Sequence, residues 1–396
     1  MTKNGKFRFF LGLYFASIFS LFLYSFTQID LSLTFSRIEV LRNAVKSFQY
    51  IGYFNRPLSG VIFSALIIIL FGFYIYFLKL ARDKKIERKT LWKIILSVSA
   101  ILVFSYNAFS YDLFNYIFDA KIFTHYNSNP YLHKALDFPT DPMLSFMRWT
   151  HRVYPYGPAW LFLTVPLSYI GLNLFLPTLF LFKFLMGACF LASLYFIGKI
   201  LRKVAPGTEP LGIAVFGLNP MILIESLVSP HLDIVMIFFA LCATSKLLEK
   251  KYIFAFLLLA FSIGIKFATV FLAPIFLYII YLQIKNKKIN WELVFGLTII
   301  SMFLTVIVSS IYSGNFQPWY LLLPLSFAAL LSHKYYVVIP VMLASFLALF
   351  TYLPYLYLGN WDSPVPQILR TIYIAGISLS VAIVLTYKFA VQSRKN

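Results

Sequence analysis

Residues 252–284 read YIFAFLLLAFSIGIKFATVFLAPIFLYIIYLQI, thirty-three residues with a single charge, Lys266. A helix needs about 20 mainly apolar residues to cross the hydrocarbon of a bilayer. Basic connectors close the stretch at both ends, Lys246 to Lys251 before it and Lys285 to Lys288 after it. Lysine and arginine collect in the short cytoplasmic loops of membrane proteins. The stretch therefore reads as two short spans forming a hairpin, with Lys266 marking its outer turn.

The same pattern runs from end to end. The chain has 396 residues, 60% hydrophobic and only 12% charged, with a mean hydropathy of +0.80. Soluble globular chains carry roughly a quarter charged residues. Apolar runs lie near 8–27, 58–80, 92–110, 157–172, 174–200, 211–229, 232–248, 252–266, 268–283, 291–312, 318–332, 335–357 and 367–391. The expected fold is all-α, a polytopic transmembrane helical bundle of about 11–13 spans. No stretch outside the apolar runs is long enough to build its own core, so residues 1–396 read as one membrane-embedded domain. The formal charge of +20 would suggest nucleic acid in a soluble protein. Here the cations sit between spans, where they set orientation and meet anionic lipid heads. Nucleic acid is not an expected partner; membrane lipids are. Cys189 and Cys242 both fall inside apolar runs and read as small core residues. The first run follows Lys3, Lys6 and Arg8 as in a signal peptide, but no small-x-small cleavage site follows it. It reads as a retained span.

The basic connectors assign the faces. The N-terminus, Lys79 to Lys89, Leu201 to Lys203, Lys246 to Lys251, Lys285 to Lys288 and the tail with Arg394 and Lys395 are expected in the cytoplasm. Segments 28–57, 111–155, 229–233, 313–317 and 359–366 then fall outside, with Lys266. One count fails: two apolar runs separate the loop 111–155 from Arg202, yet the two belong on opposite sides. The run 157–172 is short and begins Gly157-Pro158, so it is expected to be re-entrant or to cross only partly.

Segment 111–155 is the one long polar stretch, and long loops are usually functional. It holds His125, His133 and His151 and the acids Asp112, Asp119, Asp137 and Asp141. Asp112 to Phe123 predicts a short helix lying at the membrane surface, with Leu113, Tyr116, Ile117 and Phe123 apolar. Asp112 stands where a span leaves the bilayer; it reads either as a cap for that helix or as a catalytic acid. Asp119, two turns on, shares its face, unless it only pairs with Lys121. His231 and Asp233 lie in Ser229-Pro230-His231-Leu232-Asp233, where Pro220 and Pro230 break the apolar run; such breaks are tolerated where backbone lines a cavity or is covered by protein. Lys266 either snorkels or binds an anion. Glu225 inside the run 218–228 needs a partner or a proton. Tyr154-Pro155-Tyr156-Gly157-Pro158 and Gln317-Pro318-Trp319-Tyr320 mark outer entries to spans, as interfacial belts or as surfaces for stacking on sugar rings. No Gly-rich phosphate loop of the soluble nucleotide type occurs. No cofactor is expected. His231-x-Asp233 lacks a third metal ligand at a recognisable spacing, which leaves a divalent metal open.

Four segments in order resemble the GT-C superfamily of glycosyltransferases, and within it the prokaryotic polyprenol-phosphate-mannose-dependent mannosyltransferases. They are Tyr111-Asp112 through Asp119 with Asn129-Pro130-Tyr131; Tyr154 to Pro158; Asn219-Pro220 with Glu225, His231, Asp233 and Lys266; and Gln317 to Tyr320. The resemblance implies a sugar donor on a polyprenyl phosphate and a glycan or lipid-linked acceptor. It implies an aspartate base, matching Asp112, and inversion at the anomeric carbon. Asp119, Tyr154, His231, Asp233, Lys266, Gln317, Trp319 and Tyr320 are the expected substrate-binding residues. The expected setting is a prokaryotic cytoplasmic membrane with the site on its outer face. The competing expectation is a transporter or flippase of lipid-linked or polar substrates, in which Glu225 would relay protons. No internal repeat of the kind many transporters show is visible.

Overall fold

The computed structural model describes residues 3–34 and 36–393; Arg394 and Lys395 lie outside the described residues. Helices follow one another as α1 (Lys3–Ser25), α2 (Glu39–Gln49), α3 (Arg56–Arg82), α4 (Arg88–Leu102), α5 (Asp112–Thr124), α6 (Pro158–Ile170), α7 (Phe175–Val204), α8 (Glu209–Gly217) and α9 (Pro220–Leu223). The rest are α10 (Asp233–Leu248), α11 (Tyr252–Ile265), α12 (Ala273–Ile284), α13 (Trp291–Ser313), α14 (Leu322–Ala328), α15 (Tyr335–Phe350), α16 (Leu353–Leu358) and α17 (Val365–Ser393). Among the described residues the only β pairing is an isolated bridge between Lys134 and Val153. The protein is an all-α, polytopic integral membrane protein.

Each of the thirteen apolar runs carries a helix, but not each is a full span. Among the described residues seven helices are long and apolar enough to cross a membrane, and the α8–α9 pair, bent by 58° and continued to Val228, is an eighth if it is counted as one broken span. The bend falls at Leu218-Asn219-Pro220, where proline cannot continue the helical hydrogen bonding and the Asn219 side chain accepts from the Met221 amide to start the second half. Shorter helices α10 and α11 still run between the same two ends. α10 starts at Asp233 and ends at Lys246–Leu248; α11 starts after Lys251 and ends at Lys266. Large apolar side chains exposed on α1, α13 and α17, such as Phe9, Leu13, Ile300, Ile307 and Ile377, are the surface expected to meet lipid tails.

The basic connectors gather at one end. Glu209 pairs with Arg88 (3.0 Å) and with Arg202; Glu249 pairs with Lys199 (2.7 Å), Lys246 and Lys251. Lys288 lines a cavity together with Val204, Ala205 and His333. The opposite end holds the polar segments: the Ser32 hydroxyl donates to the Ser145 carbonyl (2.8 Å), joining segment 28–57 to the long loop.

The failed count is resolved by α6. At 13 residues it is about as long as α11, so its contacts and not its length decide its course. It runs parallel to α5: Tyr116 packs on Tyr156 and Trp160 near the start of both, and Thr124 meets Ser168 (3.0 Å) near their ends. α7 begins eight residues before Lys183, and Lys183 is level with Ser105 and Val228, whose carbonyls accept its ammonium protons. Those eight residues span about 12 Å. α6 therefore leads away from the basic end and does not cross.

Two further expectations change. The helix from Asp112 is present, but it does not lie at a surface with one apolar face. Leu113, Phe114, Tyr116, Ile117, Phe118, Ala120 and Ile122 are all buried, because α6, α7 and the folded loop cover it, while Phe123 is exposed. Segment 28–57, read only as a polar loop, contains α2. Its sequence alternates Val40, Leu41 and Val45 with Arg42 and Lys46, an amphipathic period too short to register as an apolar run.

Candidate active site

The site is built where four chain breaks meet. After α4 the chain leaves the helix at Val103, and the Phe109 amide donates to the Ser229 hydroxyl (2.9 Å). Ser229 itself ends a π-helical turn, Ile224–Val228. Lys183 is buried in α7 and donates to the Ser105 and Val228 carbonyls, so one ammonium ties both breaks together. Sequence reasoning missed this lysine, although a charge in the middle of an apolar run is itself a signal.

Asp112 and His231 face one another across that junction. His231 Nε2 lies 3.8 Å from Asp112 Oδ2, and His231 Nδ1 lies 3.2 Å from Glu225 Oε2. The imidazole stacks on Trp319, with ring centroids 3.9 Å apart and planes 13° off parallel. Asp112 does not cap α5: Tyr111 occupies the cap position and no side-chain cap bond forms. Its own amide instead donates to the Ser110 hydroxyl (3.1 Å), which leaves the carboxylate facing the site with 17% of its side chain exposed.

Lys266 stands at the α11 turn with its ammonium 2.8 Å from Asp233 Oδ1 and 5.1 Å from the centre of the Tyr320 ring. It is within electrostatic reach of Asp112. The turn expected from the sequence is present, but the lysine is not free; its side chain is 24% exposed and Asp233 is buried. Asp119 is partly exposed and close enough to Asp112 for their charges to oppose each other. The bland reading of Asp119 as partner of Lys121 fails, because Lys121 pairs with Asp141. Glu225 finds its partners in His231 and in the Tyr352 hydroxyl (3.0 Å).

Two expected residues stand off this cluster. Tyr154 is buried, packs edge-on to Tyr131 and donates its hydroxyl to the Gly157 carbonyl (2.9 Å). Its amide donates to the Pro130 carbonyl, and the Tyr131 hydroxyl to the Tyr156 carbonyl. The segments Asn129-Pro130-Tyr131 and Tyr154-Pro-Tyr-Gly-Pro158 thus hold each other. Gln317 is half-exposed at the head of the turn Pro318–Leu321, which delivers Trp319 and Tyr320. Sequence reasoning missed Tyr352 entirely, and it passed over Tyr116 and Tyr156, both within electrostatic reach of Asp112. Only the spatial fold brings them there. Among the described residues no three His, Cys, Asp or Glu are grouped to hold a metal ion.

Gly157 explains why its segment must be so compact. Its amide donates to the Ile265 carbonyl (3.1 Å), and a Cβ there would stand 2.1 Å from the Gly264 carbonyl oxygen. Backbone cannot yield as a side-chain tip can. We predict that Gly157→Ala costs about 1–3 kcal/mol, read as a lower thermal midpoint in detergent, because it pries α6 from the turn that carries Lys266. An unchanged midpoint would contradict the contact.

Burial raises the Asp112 carboxyl above the usual aspartate value; His231 and Lys266 pull it back down without cancelling the rise. Burial, with the charge of Asp112, raises Asp119 as well. A base works in its ionised form, so the base role that the resemblance implies for Asp112 predicts activity that climbs with pH as Asp112 loses its proton, with an acidic limb above the ordinary aspartate range. A pH–rate profile whose acidic limb falls at or below that range would contradict this.

A carboxylate opposite an imidazole, beside a lysine and two aromatic rings, thus gathers at one end of a helical membrane bundle. The chain belongs to the MptA_B family, described as alpha-(1->6)-mannopyranosyltransferase, N-terminal domain, whose model matches residues 26–282. It is a mannosyltransferase. Comparisons with curated proteins and with solved structures each find no match.

Proposed function

We propose that the protein transfers mannose from a polyprenyl-phosphate donor to a glycan or lipid-linked acceptor, with Asp112 as general base. The observation that carries this reading is the chain of contacts beside Asp112: His231 faces it and stacks on Trp319, Trp319 meets Tyr320 edge-on, and the Lys266 ammonium lies over the Tyr320 ring. The acceptor hydroxyl gives its proton to Asp112 as its oxygen bonds to the anomeric carbon. The bond from that carbon to the phosphate oxygen breaks, and the leaving lipid phosphate keeps the electron pair. Lys266 stabilises the charge gathering on it, more strongly than in water because the site is shielded, while His231 faces the Asp112 carboxylate. Trp319 and Tyr320 offer ring faces to the sugar. The lipid tail stays in the bilayer, which accounts for a site built at the membrane end of the spans.

The family description names an α-(1→6) linkage, and we extend it to this chain. With inversion at the anomeric carbon, an α product requires a β-linked mannosyl phosphate. The site belongs on the outer face of a prokaryotic cytoplasmic membrane, since the basic connectors occupy the other end, and the chain works as one membrane domain. Proton spectra of the product give the test: transfer from a β-mannosyl phosphate should yield an α-linked sugar on a primary hydroxyl. A β-linked product would overturn inversion, and flipping of the lipid with no transfer would restore the transporter reading.

A further inference from the structure

We propose that Glu225, anchored by Tyr352, is a positioning residue that fixes the His231 ring against Asp112; the inference rests on reading Asp112 and His231 as the reacting pair. Glu225 is fully buried, and no lysine or arginine pairs with it among the described residues. Its two oxygens are divided between two tasks. Oε1 accepts from the Tyr352 hydroxyl at 3.0 Å, and Oε2 lies 3.2 Å from His231 Nδ1.

The backbone arranges this. Residues 224–228 form a π-helical turn, and the Ser229 amide closes it on the Ile224 carbonyl (2.8 Å). Single π turns inside helices are frequent at functional sites. The following reversal lets the His231 amide donate to the Glu225 carbonyl (3.1 Å). Glu225 therefore holds the His231 main chain by a hydrogen bond and sets a carboxylate oxygen 3.2 Å from its ring nitrogen, a close approach of opposite polarity without hydrogen-bond geometry. Trp319 stacks on the ring face, so rotation about the side chain is blocked from a third direction. A carboxylate at Nδ1 settles which nitrogen faces it and leaves Nε2 for the other side. Here that side holds Asp112, 3.8 Å away. The charged and titratable groups around this centre are Asp112 and Asp233, Lys266, Tyr352 and, through Asp112, Tyr116, Tyr156 and Arg152. Trp319 and Tyr352 both lie beyond residue 282, outside the family match. The C-terminal third of the chain thus completes the setting of a histidine carried by the matched part.

The test is a double-mutant cycle on the purified protein, with transfer from polyprenyl-phosphate mannose read as separate kcat and KM values. Glu225→Leu should lower kcat by about 50-fold or more with donor KM within about twofold, since only an oriented ring assists the transition state. Glu225→Gln, which keeps an acceptor oxygen of the same reach, should recover kcat to within about fivefold of wild type, and Tyr352→Phe should lower it by about 3- to 10-fold. In a His231→Asn background, Glu225→Leu and Tyr352→Phe should each cost less than about twofold, because groups acting through one residue are not additive. A purely structural carboxylate would cost the same in both backgrounds, and that result would overturn the proposal, as would an unchanged kcat in Glu225→Leu. Where Glu225→Leu yields no folded protein, Tyr352→Phe, which loses one hydroxyl, decides the same cycle. Wild-type kcat in His231→Asn would instead overturn the Asp112–His231 reading itself.

Discussion

Asp112→Asn is expected to lower mannosyl transfer by about 100- to 10,000-fold, the usual worth of a general base, while leaving the fold intact. Asparagine has the same shape and cannot take a proton at neutral pH. Two contacts make the expectation sharp. The Asp112 side chain makes no cap bond to α5, so its loss does not fray that helix. Its amide, which does anchor the helix start on Ser110, is unaffected by the substitution. A thermal midpoint near that of wild type, together with lost transfer, is the predicted pair of results. Transfer within about threefold of wild type, a barrier change of well under 1 kcal/mol, would move the base elsewhere, first to Asp119.

Lys266→Ala should lower transfer by about 100- to 1,000-fold, the scale seen when one donor to a developing negative charge is removed. The sequence alone places this lysine on an outer turn with little packing to lose. The structure alters that expectation, because its ammonium satisfies the buried Asp233 carboxylate at 2.8 Å. Alanine strands that carboxylate near Asp112, and the variant should lose about 1–3 kcal/mol of stability as well. Adding Asp233→Asn removes the stranded charge. The double variant is therefore expected to regain stability and not activity. Full recovery of transfer in the double variant would mean that Lys266 serves only to neutralise Asp233.

The helices were legible because lipid demands long apolar runs, and every run near 252–284 and beyond carries a helix. What length alone could not reveal is the direction of a helix relative to the bilayer. α6 is as apolar as a span, and only the contacts of Gly157 and Thr124 show that it stays at one end. The site was legible where a polar residue interrupts an apolar run: Asp112, Glu225, His231, Asp233 and Lys266 all stand out for the cost of placing them there. Tyr352 belongs to an aromatic background of 27 tyrosines and 44 phenylalanines, where one hydroxyl aimed at Glu225 leaves no trace. Tyr154 shows what a motif leaves open. It stands in a segment that looks like a sugar platform, yet its hydroxyl is spent on the Gly157 carbonyl.

The most direct test is transfer by the purified protein in proteoliposomes, with polyprenyl-phosphate mannose and a nucleotide-linked mannose offered side by side. Wild type should use the lipid phosphate alone, Asp112→Asn should lose at least about 100-fold of that rate, and neither should use the nucleotide sugar. Transfer from the nucleotide sugar, or an equal rate in Asp112→Asn, would contradict the account.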